Sequence, residues 1–314
     1  MRRKPCRGAG AIVRVLLTGS SGYLGRKLLV GLAGAGHDVD VLLRSSSHAC
    51  GSPLVRRVLH DDGSADTLKR AFDAQSIDAV IHAAAMVVGA HDHAPGDAGR
   101  LIDGNVVYAA RVLETAASSG VGVFVNTGSF WEYGANGEYR PVNLYAATKK
   151  AFSDICVYYA LSSGMTVIDL VLSDVYGPED TRGRLMQQLV ESAFSGASLL
   201  LSPGEQKMRP VYIDDVVSAY IRAIDRETPV PVRDNYAEYF VSGPQMTTVK
   251  DLVARVSTLS GRPIRAEFGR RPYREREIMH PWNGVSLPGW EARVDLDAGI
   301  RSVLDCYSRN FGSA

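Results

Sequence analysis

The sequence predicts an α/β protein built on a doubly wound parallel sheet, with a smaller α/β lobe towards its C-terminus. Three observations carry that reading. Strand-like and helix-like patterns alternate through the first half of the chain, as they do when a parallel sheet is covered by helices on both faces. A near-continuous apolar strand, Val15-Leu-Leu-Thr18, runs into Gly19-Ser-Ser-Gly22-Tyr-Leu-Gly25 and an amphipathic helix over 23–33. Further on, Tyr145 and Lys149 stand four residues apart in a helical pattern that follows another apolar strand.

The glycine turn comes first. Gly19 permits the tight turn, Gly22 lets a pyrophosphate approach the backbone at a helix start, and Gly25 lets helix pack on strand. The spacing is one residue wider than Gly-x-Gly-x-x-Gly. It marks Gly19, Gly22, Tyr23, Leu24 and Gly25 as the dinucleotide-binding turn of a Rossmann sheet. A second strand over 38–43 ends in Arg44-Ser-Ser. An acidic residue at this strand end would bond the adenosine ribose, whereas an arginine accommodates a 2′-phosphate. Arg44 therefore favours NADPH, with NAD as the alternative. A third short strand leads to His60-Asp-Asp62-Gly and a helix over 65–73. The fourth, over 77–85, ends in small residues, and Ala83 and Ala84 let a cofactor lie close across its end. His82 reads as a buried strand-end histidine. His91-Asp-His93, in a Gly/Pro/Asp-rich stretch, reads as loop, and no metal is expected.

A helix over 100–118 shows apolar residues at helical spacing, Leu101, Val106, Ala109, Val112 and Leu113, and burial accounts for them. A strand over 121–126 follows, with Ser129 in the loop just after it, then a helix over 142–161. In that helix four residues make about one turn, so the Tyr145 phenol and the Lys149 ammonium project from one face. An unperturbed phenol titrates near ~10, and a fixed positive charge close by lowers that value. The hydroxyl of Ser129 can bond the oxygen that Tyr145 protonates. Together the three form a proton-delivery site for a carbonyl or alcohol.

A strand over 165–172 ends in Ser173-Asp174-Val-Tyr-Gly177, after which the alternation loosens. Residues 12–176, with a return segment at about 209–241, read as the dinucleotide-binding domain. Residues 177–208 and 242–314 read as the substrate lobe, and 1–11 as a disordered basic tail without the apolar segment of a signal peptide. Within the second part a helix is expected over 185–194, and Asp214 or Asp215 as the cap of a helix over 216–225. A strand at 239–241, a helix over 249–259 and a basic run over 262–276 follow. Arginines there suit either a solvated face or a diphosphate held in bidentate fashion.

Composition narrows the function classes. A net charge of +1 argues against a nucleic-acid surface. No apolar run reaches the roughly twenty residues that span a bilayer. The four cysteines, Cys6, Cys50, Cys156 and Cys306, lack metal-ligand spacing and read as free thiols in a reducing, cytoplasmic setting.

The glycine triad, Ser129 and Tyr145-x-x-x-Lys149 together resemble the extended short-chain dehydrogenase/reductase family, over almost the whole chain. Asn126-Thr-Gly-Ser-Phe-Trp131, Pro141-Val-Asn-Leu-Tyr-Ala-Ala-Thr-Lys149 and Tyr273-Arg-Glu-Arg-Glu-Ile-Met279 are similar to a narrower group, the CDP-abequose and CDP-paratose synthases and related 4-ketoreductases. The resemblance implies reduction of a nucleotide-linked 4-keto-6-deoxyhexose and a homodimer formed by the helices carrying Asn105 and Tyr145. It gives Lys149 a bond to the nicotinamide ribose, Asp62 (or Asp61) the adenine, and Asn105 the support of its helix near the active site. Arg209 and Arg274 would take the substrate diphosphate. Asp174 would meet the sugar nucleotide where many relatives carry asparagine. Dehydratases of the family carry an Asp-Glu pair directly after the catalytic hydroxyl residue. Phe130 and Trp131 stand there instead, which speaks against dehydration. A 4-epimerase with bound NAD and a catalytically silent NADP-binding regulator are the alternatives.

Overall fold

A computed structural model describes residues 11–44, 53–61, 64–73, 76–87, 96–226, 229 and 231–311. The first half runs β1 (Arg14–Thr18), α1 (Tyr23–Gly34), β2 (Asp38–Arg44), β3 (Arg57–Asp61), α2 (Ala65–Asp73), β4 (Ala79–His82), α3 (Asp97–Ile102), α4 (Tyr108–Ser118), β5 (Val123–Ser129), α5 (Leu144–Ser163) and β6 (Thr166–Leu172). The second half runs β7 (Val175–Tyr176), α6 (Leu185–Ser195), β8 (Leu199–Leu200), β9 (Lys207–Met208), β10 (Val211–Tyr212), α7 (Ile213–Ala223), β11 (Tyr236–Val241), β12 (Thr247–Thr248), α8 (Val249–Ser260), β13 (Ala266–Glu267) and α9 (Leu296–Phe311).

Seven strands form one sheet in the order β11-β6-β5-β4-β1-β2-β3, and every neighbouring pair is parallel. Strands buried on both faces explain why β1 reads as an unbroken apolar run. Val15 and Leu17 point to the core under α1 and α7, with Leu28, Leu32, Val216 and Tyr220. Leu16, one residue out of phase, joins the opposite core under α2, α4 and α5, with Leu68, Val112 and Phe152. The chain reverses its direction of travel across the sheet between β1 and β4, which opens a crevice outside their carboxyl ends. A third core, of Leu189, Val190, Leu252, Val256, Ile300 and others, joins α6, α8 and α9 beside the sheet. Among the described residues, no helix is long and apolar enough to cross a membrane.

Three boundaries differ from the sequence reading. β5 runs three residues further, so Ser129 is its last residue and not part of the loop beyond it. The helix expected over 100–118 contains a π-helical turn, Asp103–Val107, and Asn105 lies inside that turn. Such single-turn bulges redirect a side chain without ending the helix. The third concerns α7, which starts at Ile213 and leaves Tyr212 at the cap position. Asp214 and Asp215 therefore sit in the first turn, past the cap they were expected to form. The Asp215 carboxylate instead accepts the N–H groups of Arg293 and Val294, at 3.0 Å each, tying down the approach to α9.

Candidate active site

The crevice between β1 and β4 is a groove of about 560 Å³, lined by Gly19, Gly22, Leu42, Leu43, Ala83 and Ala84 among others. Its width is set by main chain. Gly19 adopts φ +73°, and a Cβ there would lie 2.5 Å from the Ala84 nitrogen. A Cβ on Gly25 would lie 2.0 Å from the Gly19 carbonyl oxygen, so neither position tolerates a side chain. The Tyr23 side chain turns away from the groove, with the Arg182 guanidinium 4.6 Å above its ring. What Tyr23 and Leu24 can offer is their N–H groups in the first turn of α1, where helix amides lack intrahelical acceptors. A cradle that any Cβ would fill, at a helix N-terminus, fits a dinucleotide pyrophosphate. Arg44 is the last residue of β2, its backbone opposite Asp61 of β3. Its side chain lies outside the described part of the protein, as do Asp62, His91 and His93.

On the neighbouring strand end, Ser129 begins a 3₁₀ turn, Phe130–Glu132. The Ser129 hydroxyl accepts the Trp131 N–H at 3.3 Å, and the Ser129 N–H donates to Glu132 Oε1 at 2.7 Å. This reciprocal pair fixes the serine and buries Glu132 completely. Tyr145 is the second residue of α5, whose first turn is capped by Asn143. Asn105 donates to Thr148 Oγ1 at 3.0 Å and exchanges two bonds with the main chain of Met86, which locks α5 against the end of β4. Lys149 follows, 1% exposed.

The electrostatics differ from the simplest expectation for a Tyr-x-x-x-Lys pair. Tyr145 is pushed up to about 12, by burial first and then by Glu132, while Arg184 and Arg182 pull it down. Lys149 is itself pushed down by burial, and the charges of Glu132, Asp169 and Cys156 act to keep it protonated. It helps hold the buried His82, which bonds Thr18 Oγ1, down at about 3, although burial is the larger cause. Glu132 is held well above the usual carboxyl range by burial and by Asp169. Its Oε2 and the Oδ1 of Asp169 are buried without a hydrogen-bond partner among the described residues. The lysine is thus engaged behind the tyrosine, and the cations that act on the phenol are Arg184, at the start of α6, and Arg182 just before it.

The rest of the site gathers around Trp131. The Arg274 guanidinium lies 5.0 Å from its ring centroid and that of Arg184 lies 5.7 Å away, on the same indole. Asp174, just beyond β6, feels both arginines. Arg209 reaches the region through its carbonyl, which accepts the Ser173 hydroxyl at 2.7 Å, and its Nε is buried without a partner among the described residues. The structure therefore brings Asp174 and Arg274 to one face with Tyr145, and adds Arg184, Trp131 and Glu132, which sequence reasoning did not assign. Arg184 occupies the N-cap of α6 and makes no capping bond, a cation set against the helix dipole.

Residues 15–236 match the NAD dependent epimerase/dehydratase family. The chain belongs to that family. It is an enzyme of a group that works with a nicotinamide dinucleotide, in keeping with the groove at β1 and β4. A CDP-abequose synthase from Yersinia pseudotuberculosis is 28% identical over 279 residues, 86% of this chain and 92% of that one. The CDP-abequose synthase of Salmonella typhimurium is 26% identical over 92% of this chain and 97% of its own. Among solved structures, the UDP-glucuronic acid 4-epimerase from Bacillus cereus superposes with a TM-score of 0.82 at 18% identity, covering 95% of this chain and 100% of the other. The UDP-glucose 4-epimerase from Thermus thermophilus gives 0.77 at 22%, over 96% of this chain and 100% of that one. At these identities the structural likeness speaks for the fold.

Proposed function

We propose that the protein reduces the 4-keto group of a nucleotide-linked 4-keto-6-deoxyhexose, with NADPH as reductant. The observation that carries the reading is Tyr145, a phenol held protonated by burial and by Glu132, whose carboxyl accepts the Ser129 N–H. When bound, the dinucleotide supplies hydride to the ketone carbon. Tyr145 gives its proton to the oxygen on which negative charge develops, and Ser129 directs a hydrogen bond at the same oxygen. Lys149 holds the nicotinamide ribose and its charge balances Glu132 and Asp169. Gly19, Gly22 and the amides of Tyr23, Leu24 and Gly25 take the pyrophosphate, Ala83 and Ala84 flank the dinucleotide, and Arg44 and Asp62 take its 2′-phosphate and adenine. Arg209, Arg274 and Arg184 hold the substrate diphosphate, using remote binding energy to place the sugar.

The CDP-abequose synthase relatives support a place in deoxysugar synthesis. Phe130 and Trp131, directly after Ser129, offer no acid–base pair for dehydration. A second reading has its own support, since several structural neighbours are 4-epimerases bound to NAD. Net oxidation of NADPH by a 4-keto-6-deoxy nucleotide sugar supports the reductase. Interconversion of sugar epimers without cofactor consumption supports the epimerase. A homodimer through α4 and α5 belongs to the same proposal. Tyr158 and Leu161, both more than 60% exposed, present an apolar strip on the outer face of α5. A monomeric mass at micromolar concentration would remove it.

A further inference from the structure

Trp131 has no task in the chemistry above, yet its contacts run to three separate parts of the site. Its N–H donates to Ser129 Oγ at 3.3 Å, and its carbonyl accepts the Val142 N–H at 3.0 Å. Val142 directly precedes Asn143, the cap of α5, and Tyr145 is the second residue of that helix. The main chain of Trp131 is therefore pinned between the strand end that carries Ser129 and the helix start that carries Tyr145. Its indole meets two guanidiniums. That of Arg274 lies 5.0 Å from the ring centroid and that of Arg184 lies 5.7 Å from it. Among the described residues, the Arg184 side chain makes no hydrogen bond and no ion pair, so the indole is where its cation rests. Arg274 is anchored at its root by a turn. Its N–H donates to Glu277 Oε2 at 3.2 Å, and its carbonyl accepts the Glu277 N–H at 3.1 Å. Its guanidinium keeps a long pairing with Glu277, at 3.9 Å, while resting on the ring. Two like charges drawn onto one surface repel each other, and an anion carrying two negative charges relieves that repulsion.

We propose that Trp131 is the positioning residue that registers the substrate. Its indole seats the Arg184 and Arg274 guanidiniums as one clamp for a diphosphate, and its main chain fixes that clamp relative to Ser129 and Tyr145. The inference rests on the nucleotide-sugar reading of the site. A ring face attracts a cation without occupying its N–H donors. The clamp is thus held in place and still able to bond phosphate oxygens in bidentate fashion. Loose arginines would lose side-chain freedom on binding, whereas seated ones have lost much of it beforehand. Trp131 itself needs no contact with the ligand. Removing the ring while leaving the main chain should loosen both arginines and weaken the nucleotide sugar by about five- to thirtyfold.

Calorimetry on the full chain tests this, with UDP-glucose, CDP-glucose and dTDP-glucose as probes. Trp131→Met fills much of the space without a ring face, and Trp131→Phe restores a smaller one. The methionine variant should show the full loss of affinity and the phenylalanine variant a lesser one. The deciding readout is a pair of double-substitution cycles. In Arg184→Ala, and again in Arg274→Ala, the further fold-loss from Trp131→Met should shrink to roughly its square root, because one of the two seated cations is gone. A loss of the same size in every background means that Trp131 acts by packing or by touching the ligand, and overturns the inference. Unchanged affinity in Trp131→Met overturns it too, and both results leave the nucleotide-sugar reading standing. Failure of all three probes to bind the natural sequence overturns that reading and this inference with it. Where Trp131→Met folds poorly, Trp131→Phe carries the same cycles from a smaller starting loss.

Discussion

The groove between β1 and β4 is shaped by main chain, whereas the face around Trp131 is shaped by charged side chains from distant segments. In the groove, the absence of Cβ atoms on Gly19 and Gly25 is what makes room, and the residues responsible lie within one short turn of the chain. Around Trp131, contributions come from Asp174, Arg184 and Arg274. Each is placed by a different strand end or loop. A cradle of backbone is general for any dinucleotide, while a constellation of side chains can be retuned one residue at a time. In the reading proposed above, the first would hold the dinucleotide and the second the nucleotide sugar.

The comparison gives the variants an order. Tyr145 lies in the field of Arg184 and Arg182, and Tyr145→Phe keeps its packing while removing the proposed proton donor. Turnover should fall by ~10²–10⁴-fold with NADPH affinity unchanged. Near-normal turnover would take this tyrosine out of the mechanism. Next comes Arg184→Ala on the side-chain face. Loss of a charge-assisted contact of about 1.5–3 kcal/mol should raise KM for the nucleotide sugar by roughly ten- to a hundredfold. NADPH binding should be spared, and an equal loss of both ligands would blur the division between the regions. On the groove side, Arg44→Ala should weaken NADPH by a similar factor and NADH little, because only the former carries a 2′-phosphate. Equal loss for both cofactors would remove Arg44 from that role.

The smallest effect concerns stability. Burial raises the Glu132 carboxyl above its value in the unfolded chain, so the folded protein binds the proton more tightly. The stability from this linkage is full below the unfolded carboxyl value, near ~4.3, and is lost as pH rises through the higher folded one. Glu132→Gln keeps an acceptor for the Ser129 N–H and abolishes that loss. Its Tm relative to the natural sequence should therefore climb from about pH 5 to about pH 8, whereas a constant difference would show that Glu132 does not titrate there.

These two regions also differ in how far they could be read from sequence. The order of β1 to β6 and the glycine turn followed from contiguous patterns, apolar runs and residues that only one backbone conformation explains. Tyr145 and Lys149 were visible because one helical turn links them. Arg209, Arg274 and Asp174 came from resemblance alone. No local pattern tells which of several arginines over 262–276 turns inward. Glu132 and Trp131 received no place in the site from sequence, since burial of a carboxyl that acts on Lys149 and a guanidinium pair on one indole are tertiary facts. The same holds for the charge acting on Tyr145. Helical spacing pointed to Lys149, but the charges that act on the phenol are Glu132, in the turn after β5, and Arg184, at the start of α6. Neither could be placed before the chain was folded.

The central claim is net reduction, and its most direct measurement is the stoichiometry of cofactor use. Purified protein is mixed with NADPH and a 4-keto-6-deoxy nucleotide sugar, and NADPH loss is followed by absorbance while the sugar products are separated. One NADPH should disappear for each 4-hydroxy product formed, and no exchange between sugar epimers should occur without it. Epimer interconversion at constant NADPH would contradict the account.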